Sequence, residues 1–232
     1  YIMIDLGRPL HAFDADKISG DTLFIRRAED KEKIVALNDK EYACTPDMLV
    51  IGDEDGADDI AGIMGGQRTG INESTNNVFL EIAVFDPVSV AITGRSLNIH
   101  SDARYRFERG LDGESPDLLS GYIARFVQQI CGGEISHEVS VGSGVDWERN
   151  ITFNTKLTKQ MTGIELPNIE QINILKNLGF ILKQKQINSW NVMPPAWRND
   201  VDGQADLVEE IIRIAGYDKL PMVPLPKTSV VA

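Results

Sequence analysis

The strongest constraint in this sequence is a break. The stretch Val141-Gly142-Ser143-Gly144 separates two regions of different electrostatic character. Residues 1–150 hold 14 Lys and Arg against 27 Asp and Glu, whereas residues 151–222 hold 8 of each. A change of charge balance at a Gly- and Ser-containing stretch marks a linker, so residues 142–150 are expected to join two separately packed modules. The length of 232 residues agrees, being too long for one minimal core. The expected domains are 1–148 and 149–222, with 223–232, which holds Pro224 and Pro226, as a linker toward a further domain. The chain opens on Tyr1 inside an apolar run and stops in that Pro-rich tail, which reads as a piece of a longer protein.

The first region reads mainly as strands. Leu23–Arg27, Asp47–Gly52 and Asn77–Ala83 have strand composition between turn residues. One helix is clear over Asp117–Ile130: Leu119, Tyr122, Ile123, Phe126, Val127 and Ile130 recur at helical spacing until Gly132-Gly133 stops them. Cys131, in its last turn, is expected to be a buried structural thiol. In the second region Ile151-Thr152-Phe153 starts as a strand. Asn168 with Gln171 suggests a capping box for a helix striped by Ile169, Ile172, Leu175 and Leu178. A hairpin over Phe180–Leu182 and Trp190–Met193 follows, then a helix over Asp206–Ala215 that buries Leu207, Ile211 and Ile214 and ends at Gly216. The fold class is therefore α/β of the α+β kind: mostly antiparallel sheets with packed helices, followed by a small winged-helix-like domain.

Composition removes several functions. A net charge of −12 argues against a surface that grips a nucleic-acid backbone over most of its area. The winged-helix-like module lacks an Arg/Lys-rich recognition face, so DNA is not its expected partner. Two distant cysteines, Cys44 and Cys131, offer neither a disulfide framework nor a four-thiolate zinc site. No apolar run reaches membrane-spanning length, and nothing at the start reads as a signal peptide.

Several segments carry chemistry-bearing residues, each with a bland reading beside the sharp one. His11, in Gly7-Arg8-Pro9-Leu10-His11-Ala12-Phe13-Asp14, is expected in a loop or turn, where it either orients a water or substrate oxygen or simply bonds a backbone carbonyl. Ala61-Gly62-Ile63-Met64-Gly65-Gly66 lacks phosphate-loop spacing, and its glycines allow either close ligand approach or tight turn packing. Glu81 sits between Leu80 and Ile82 on the opposite strand face, as a pocket carboxylate or a solvated edge residue. Arg95, Arg104, Arg106 and Arg109 form the one basic cluster, able to meet a phosphate or to pair internally with Asp102, Glu108 and Asp112. His100-Ser101-Asp102 contains triad residue types, but sequential neighbours do not build a triad and no nucleophile elbow is present. On the last helix Asp206 shares a face with Glu209 and Glu210, and Asp200 lies just upstream. Together they are either a hard-cation site or an acidic helix start favoured by the helix dipole.

Taken together, Gly7–Asp14, Ala61–Gly66, Phe79-Leu80-Glu81, Ser101-Asp102-Ala103 with Arg106–Gly110, and Trp197-Arg198 through Tyr217 resemble the central part of bacterial phenylalanine–tRNA ligase beta subunits, over nearly the whole chain. The resemblance implies that residues 1–148 are similar to the family's editing domain, lacking its N-terminal edge, which hydrolyses tRNA(Phe) mischarged with tyrosine. It implies that residues 149–222 are the following winged-helix-like domain. Carried over, His11 and Ser101 would be the catalytic positions, and Gly65, Gly66, Glu81 and Ala103 would bind substrate. The family usually has threonine at Ser101, so this chain keeps the hydroxyl and loses a methyl. Asp200, Asp206, Glu209 and Glu210 match the family's Mg2+ ligands, in a site shared with the alpha subunit. The implied partners are the alpha subunit, in an assembly of two alpha and two beta chains, and the acceptor end of tRNA(Phe). ATP-dependent activation of phenylalanine belongs to the alpha subunit, and the implied compartment is the cytoplasm. A non-catalytic subunit-docking piece and a free-standing aminoacyl-tRNA deacylase are the alternatives.

Overall fold

The computed structural model describes residues 1–142 and 144–222, so the linker expected at 223–232 lies outside the described residues. The chain divides into two compact units, Tyr1–Val145 and Asp146–Ala232. The mixed α/β class with antiparallel sheets and packed helices holds throughout.

The first unit runs α1 (Ile2–Leu6), β1 (His11–Asp14), β2 (Phe24–Arg27), β3 (Lys33–Val35), β4 (Glu41–Ala43), β5 (Leu49–Asp53), β6 (Gly56–Ile60), β7 (Met64–Gly65), β8 (Val78–Glu81), α2 (Pro87–Ser96), α3 (Asp102–Phe107) and α4 (Ser115–Cys131). Its main sheet has the order β2-β5-β6-β7, and β3-β4 and β1-β8 form two separate antiparallel ribbons. Val50, Ile51 and Ile60 from the sheet meet Phe13, Ile34, Ile63, Phe85, Val90, Ile99 and Phe107 in one core. The helix α2 forms despite its β-branched residues because Asp86 caps it, accepting from the Ser89 N–H at 2.7 Å, and Pro87 pre-sets the first turn. His11 lies in a strand, not in a loop or turn as expected: β1 pairs with β8 over four residues, and the alternation that buries Phe13 carries His11 with it.

One buried residue holds the unit's ends together. Arg8 is 2% exposed; its guanidinium donates to Ser115 Oγ at 2.7 Å, the Ala83 carbonyl at 2.7 Å and the Asp112 carbonyl at 2.6 Å. It thus ties the α1–β1 turn to Ala83, two residues past β8, and to the start of α4. The helix α4 has the expected periodicity but not the expected burial. Only Ser115 and Ile123 are buried, while Leu118, Tyr122 and Ile130 are exposed. Cys131 is exposed as well, so the expectation of a buried thiol is corrected. The reason is that an apolar stripe fixes which face a helix can bury, not whether an element covers it.

The second unit runs β9 (Ile151–Asn154), α5 (Lys156–Thr162), α6 (Asn168–Asn177), β10 (Ile181–Gln186), β11 (Ser189–Met193) and α7 (Gln204–Ala215). The strands form an antiparallel sheet of order β10-β11-β9. Phe153, Leu175 and Val192 pack with Val201, Leu207, Val208, Ile211 and Ile212 in a second core. Ile214, expected inside, is half exposed, and Ile169 is exposed. The expected capping box of α6 does not form. Pro167 stands at the N-cap, and the Gln171 side chain is buried instead, accepting from Thr158 Oγ1 at 2.8 Å and donating to the Leu166 carbonyl at 2.9 Å.

Candidate functional site

A cavity of about 100 Å³ opens between the β1-β8 ribbon and the β6-β7 edge, lined by residues that include His11, Asp59, Gly65, Glu81, Ala103 and Phe107. That is about two-thirds of the roughly 150 Å³ of a cavity known to hold benzene.

Register builds it. His11 stands directly across from Glu81 in the β1-β8 pair, and Asp59 directly across from Gly65 in the β6-β7 pair. The imidazole lies over Gly65, where a Cβ would come within 2.2 Å of His11 Cε1. It packs edge-to-face with the Phe13 ring, centroids 4.4 Å apart, and its Nε2 lies 3.7 Å from Asp59 Oδ2, too long for a hydrogen bond. The glycine therefore makes room for the histidine, and the histidine in turn forms a wall of the cavity. Gly66 does a different job: a Cβ there would strike the Asp58 carbonyl oxygen at 2.6 Å, and the residue lines a separate acidic depression with Asp58 and Arg68.

The electrostatics are unusual for a surface cleft. His11 Nε2, Asp59 Oδ1 and Glu81 Oε2 are buried and have no hydrogen-bond partner. Burial pushes the Glu81 carboxyl well above the ordinary carboxylate range, and the nearby Asp59 adds to it. Burial likewise raises Asp59, with Asp58 contributing. Burial pushes the His11 imidazole down, so it is neutral at pH 7. Phe85, Phe107 and Ala103 supply apolar walls.

Asp59 was not among the residues singled out from sequence. The signal was present in Ala57-Asp58-Asp59-Ile60: consecutive strand residues face opposite sides, so two adjacent acids in an apolar strand cannot both reach the same solvent. Here both are buried. Asp58 turns to Arg68 NH2, 2.5 Å away, and Thr69, while Asp59 turns to the cavity.

Ser101 is placed elsewhere. It caps α3, its Oγ accepting from the Arg104 N–H at 3.1 Å and donating to the Ile63 carbonyl at 2.7 Å. Its proton is committed to the loop before β7, and the cavity wall from α3 is Ala103. The basic cluster is largely paired internally. Arg104 is buried against Glu108 at 3.0 Å and the Ile99 carbonyl at 2.5 Å. Arg109 bonds Glu108 at 3.1 Å and covers the Tyr105 ring at 3.6 Å, and Arg106 donates to the Asp102 carbonyl at 2.9 Å.

The four acidic residues of the second unit do not converge on one point. Asp200 is exposed and held in the fork of Arg198 at 2.8 and 2.7 Å. Asp206 caps α7, its Oδ2 accepting from the Gly203 N–H at 2.9 Å and the Asp202 N–H at 3.1 Å. Glu209 is exposed. Glu210 is buried between Arg198 at 2.8 Å and Arg213 at 2.6 Å, and these two hold its carboxyl down at about 2. Among the described residues no group of three or more His, Cys, Asp or Glu could hold a metal ion. As arranged, this donor set does not fit Mg2+, because its buried carboxylate already carries two guanidinium partners.

Comparison with known proteins follows the two units. Residues 1–132 match the B3/4 domain family, and residues 151–217 match the tRNA synthetase B5 domain family. The chain is 45% identical over 225 residues to the phenylalanine–tRNA ligase beta subunit of Mesorhizobium japonicum, covering 97% of this chain and 28% of that protein. Identity to the beta subunit of Ruegeria pomeroyi is 45% over 227 residues, covering 98% and 28%. For Novosphingobium aromaticivorans it is 42% over 232 residues, covering 100% and 28%. The chain thus spans about 28% of the length of the curated relatives it matches. A crystal structure of an N-terminal fragment of the phenylalanyl-tRNA synthetase beta subunit from Pyrococcus horikoshii superposes with a TM-score of 0.45 at 15% identity, covering 93% of this chain and 63% of that one. A likeness that loose carries no argument.

Proposed function

This chain belongs to the phenylalanine–tRNA ligase beta-subunit family, and from that premise we propose that its first unit is an editing module that hydrolyses tRNA(Phe) mischarged with tyrosine. The observation that carries the reading is the cavity itself: a space of about 100 Å³ with apolar aromatic walls and three buried polar atoms lacking partners. Polar groups left unpaired in a buried site are costly unless a ligand completes them.

In this reading the aromatic ring enters against Phe85, Phe107 and Ala103, and Glu81 hydrogen-bonds the phenolic hydroxyl. A site built around a hydroxyl rejects the analogue that lacks it far better than an apolar pocket rejects an added hydroxyl. A water adds to the ester carbonyl carbon. The bond from that carbon to the terminal ribose oxygen breaks, the ribose oxygen takes up a proton from the attacking water, and tyrosine and free tRNA leave. Neutral His11 offers Nε2 to position that water or the ester end. Ser101 acts at one remove, holding the Ile63 carbonyl and with it the loop that leads into Gly65. Gly65 seats the imidazole.

The second unit we assign to assembly with the alpha subunit, the partner that activates phenylalanine with ATP. Any Mg2+ held at α7 in the whole ligase would require Arg198 and Arg213 to release Glu210. The net charge of −12 fits a role in which this region receives only the aminoacylated end while other parts of the ligase carry the tRNA backbone.

The test is deacylation by the two-subunit ligase carrying this sequence. Tyr-tRNA(Phe) is expected to be hydrolysed far faster than Phe-tRNA(Phe). Equal rates, or rates at the spontaneous level, would remove the editing assignment.

A further inference from the structure

We propose that Asp59 is a second specificity-determining residue of this cavity: Asp59 and Glu81 grip a phenolic hydroxyl between them, one accepting its hydrogen and the other donating one to its oxygen. The inference rests on the editing reading and deepens it.

Three observations carry it. Asp59 is 5% exposed on β6, and its Oδ1 is buried with no partner. Glu81 Oε2, from β8, is in the same condition, and both side chains line the one cavity. No Lys or Arg is among the residues lining that cavity. The groups that face Asp59 are His11 from β1, with Nε2 at 3.7 Å, and Glu81 from β8, with Asp58 beside it on its own strand. Asp58 is turned toward Arg68 and Thr69.

Two buried carboxyls without a cation cannot both stay ionised at low cost, and the pair relieves the repulsion by retaining one proton. A retained proton gives the cavity one hydrogen-bond donor and one acceptor. A phenolic hydroxyl is itself one donor and an acceptor, so it completes both carboxyls at once. A phenyl ring leaves both stranded. Glu81 alone would supply only half of that recognition. The His11 distance of 3.7 Å exceeds a hydrogen bond, which places Asp59 with the ligand rather than as the orienting partner of the imidazole.

The experiment uses the two-subunit ligase with Asp59→Ala and Asp59→Asn. The readout is the ratio of Tyr-tRNA(Phe) to Phe-tRNA(Phe) deacylation rates, in which background ester hydrolysis largely cancels. Asp59→Ala is expected to lower the ratio by about 10- to 100-fold, the loss of one buried hydrogen bond to a polar site. Asp59→Asn, whose amide still donates, is expected to keep the ratio within about fivefold of the parent at pH 7. In the parent the ratio falls as pH rises from 7 to 9 and the shared proton leaves, whereas in Asp59→Asn it stays flat.

A ratio unchanged in Asp59→Ala overturns the proposal, and so does an equal fall in both rates, the signature of a structural role. If Asp59→Ala does not fold, the pH profile of Asp59→Asn decides, and a profile parallel to the parent's overturns it. If the parent itself shows no preference for the tyrosyl ester, the editing reading fails rather than the assignment of Asp59. If Glu81→Ala abolishes the preference while Asp59→Ala leaves it intact, only Asp59 is wrongly assigned.

Discussion

Gly65→Ala isolates the one contact that places the histidine. The residue is not at a positive φ, so alanine brings no backbone strain of that kind. Its Cβ would lie 2.2 Å from His11 Cε1 and 2.8 Å from Nε2. Ordinary carbon contacts begin near 3.5 Å, so the ring must retreat by about 1.3 Å. Retreat is obstructed, because the Phe13 ring is packed against it with centroids 4.4 Å apart and Asp59 Oδ2 lies 3.7 Å from Nε2. The ring's remaining course is into the cavity it helps to form. Overpacking of this kind costs about 1–3 kcal/mol of stability. A displacement of about 1 Å in a group that positions reactants costs about 100-fold in rate. The assay is single-turnover deacylation of Tyr-tRNA(Phe) by the two-subunit ligase, paired with a thermal melt. Gly121→Ala is the control. A Cβ there meets nothing within 4 Å, and alanine in the middle of α4 should raise helix stability by up to about 1 kcal/mol without altering deacylation. Deacylation by Gly65→Ala within twofold of the parent, with an unchanged melt, would refute the argument that the missing Cβ sets the position of His11.

Arg8→Ala should cost about 3–5 kcal/mol in urea unfolding of the first unit, because it leaves the Ala83 and Asp112 carbonyls and Ser115 without their shared donor. Arg8→Lys should recover little, since an ammonium cannot span three acceptors, and full recovery would show that charge alone matters. In the second unit, Glu210 sits near 2 when folded, against an ordinary 4.5. A lowered acid means that the unfolded chain binds the proton more readily, so this stabilisation is present above about pH 4.5 and is lost as pH falls toward 2. After screening through the half-exposed Arg213, Glu210→Gln should cost about 2–3 kcal/mol at pH 7 and flatten that acid limb. An acid limb identical to the parent's would count against the ion-pair account. Millimolar Mg2+ should leave the melting of the second unit unchanged. A rise of several degrees, lost in Glu210→Gln, would show that a cation displaces the arginines.

Much of the fold is readable in the sequence where an apolar run is bounded by turn residues, even where, as at Phe24, Ile25, Val78 and Phe79, the side chains stay partly exposed. β2, β5, β8 and α7 fall close to their expected positions because each has a compact apolar run and flanking turn residues. His11, Gly65 and Glu81 stand out by residue type and setting and Ala103 through the resemblance alone, and all four line the cavity. β6 was invisible because Asp58 and Asp59 read as solvent-seeking. Their burial depends on Arg68, ten residues on, and on a cavity shaped by two other strands. α3 was missed because it is a helix of only six residues, half of them charged, fixed by the Ser101 cap and the burial of Arg104 and Phe107. Ser101 enters as a catalytic position through the resemblance alone, and in the structure its hydroxyl is engaged by the Arg104 N–H and the Ile63 carbonyl. For α4 the limit was different in kind, since periodicity cannot say what lies opposite a helix.

The most direct test of the central claim is tyrosine release from Tyr-tRNA(Phe) by the two-subunit ligase carrying this sequence, compared with the same ligase bearing Glu81→Ala. The structure predicts rapid release by the parent and a loss of about 100-fold or more in the variant, with Phe-tRNA(Phe) left intact by both. Release by Glu81→Ala at the parent's rate would contradict the assignment of this cavity as the editing site.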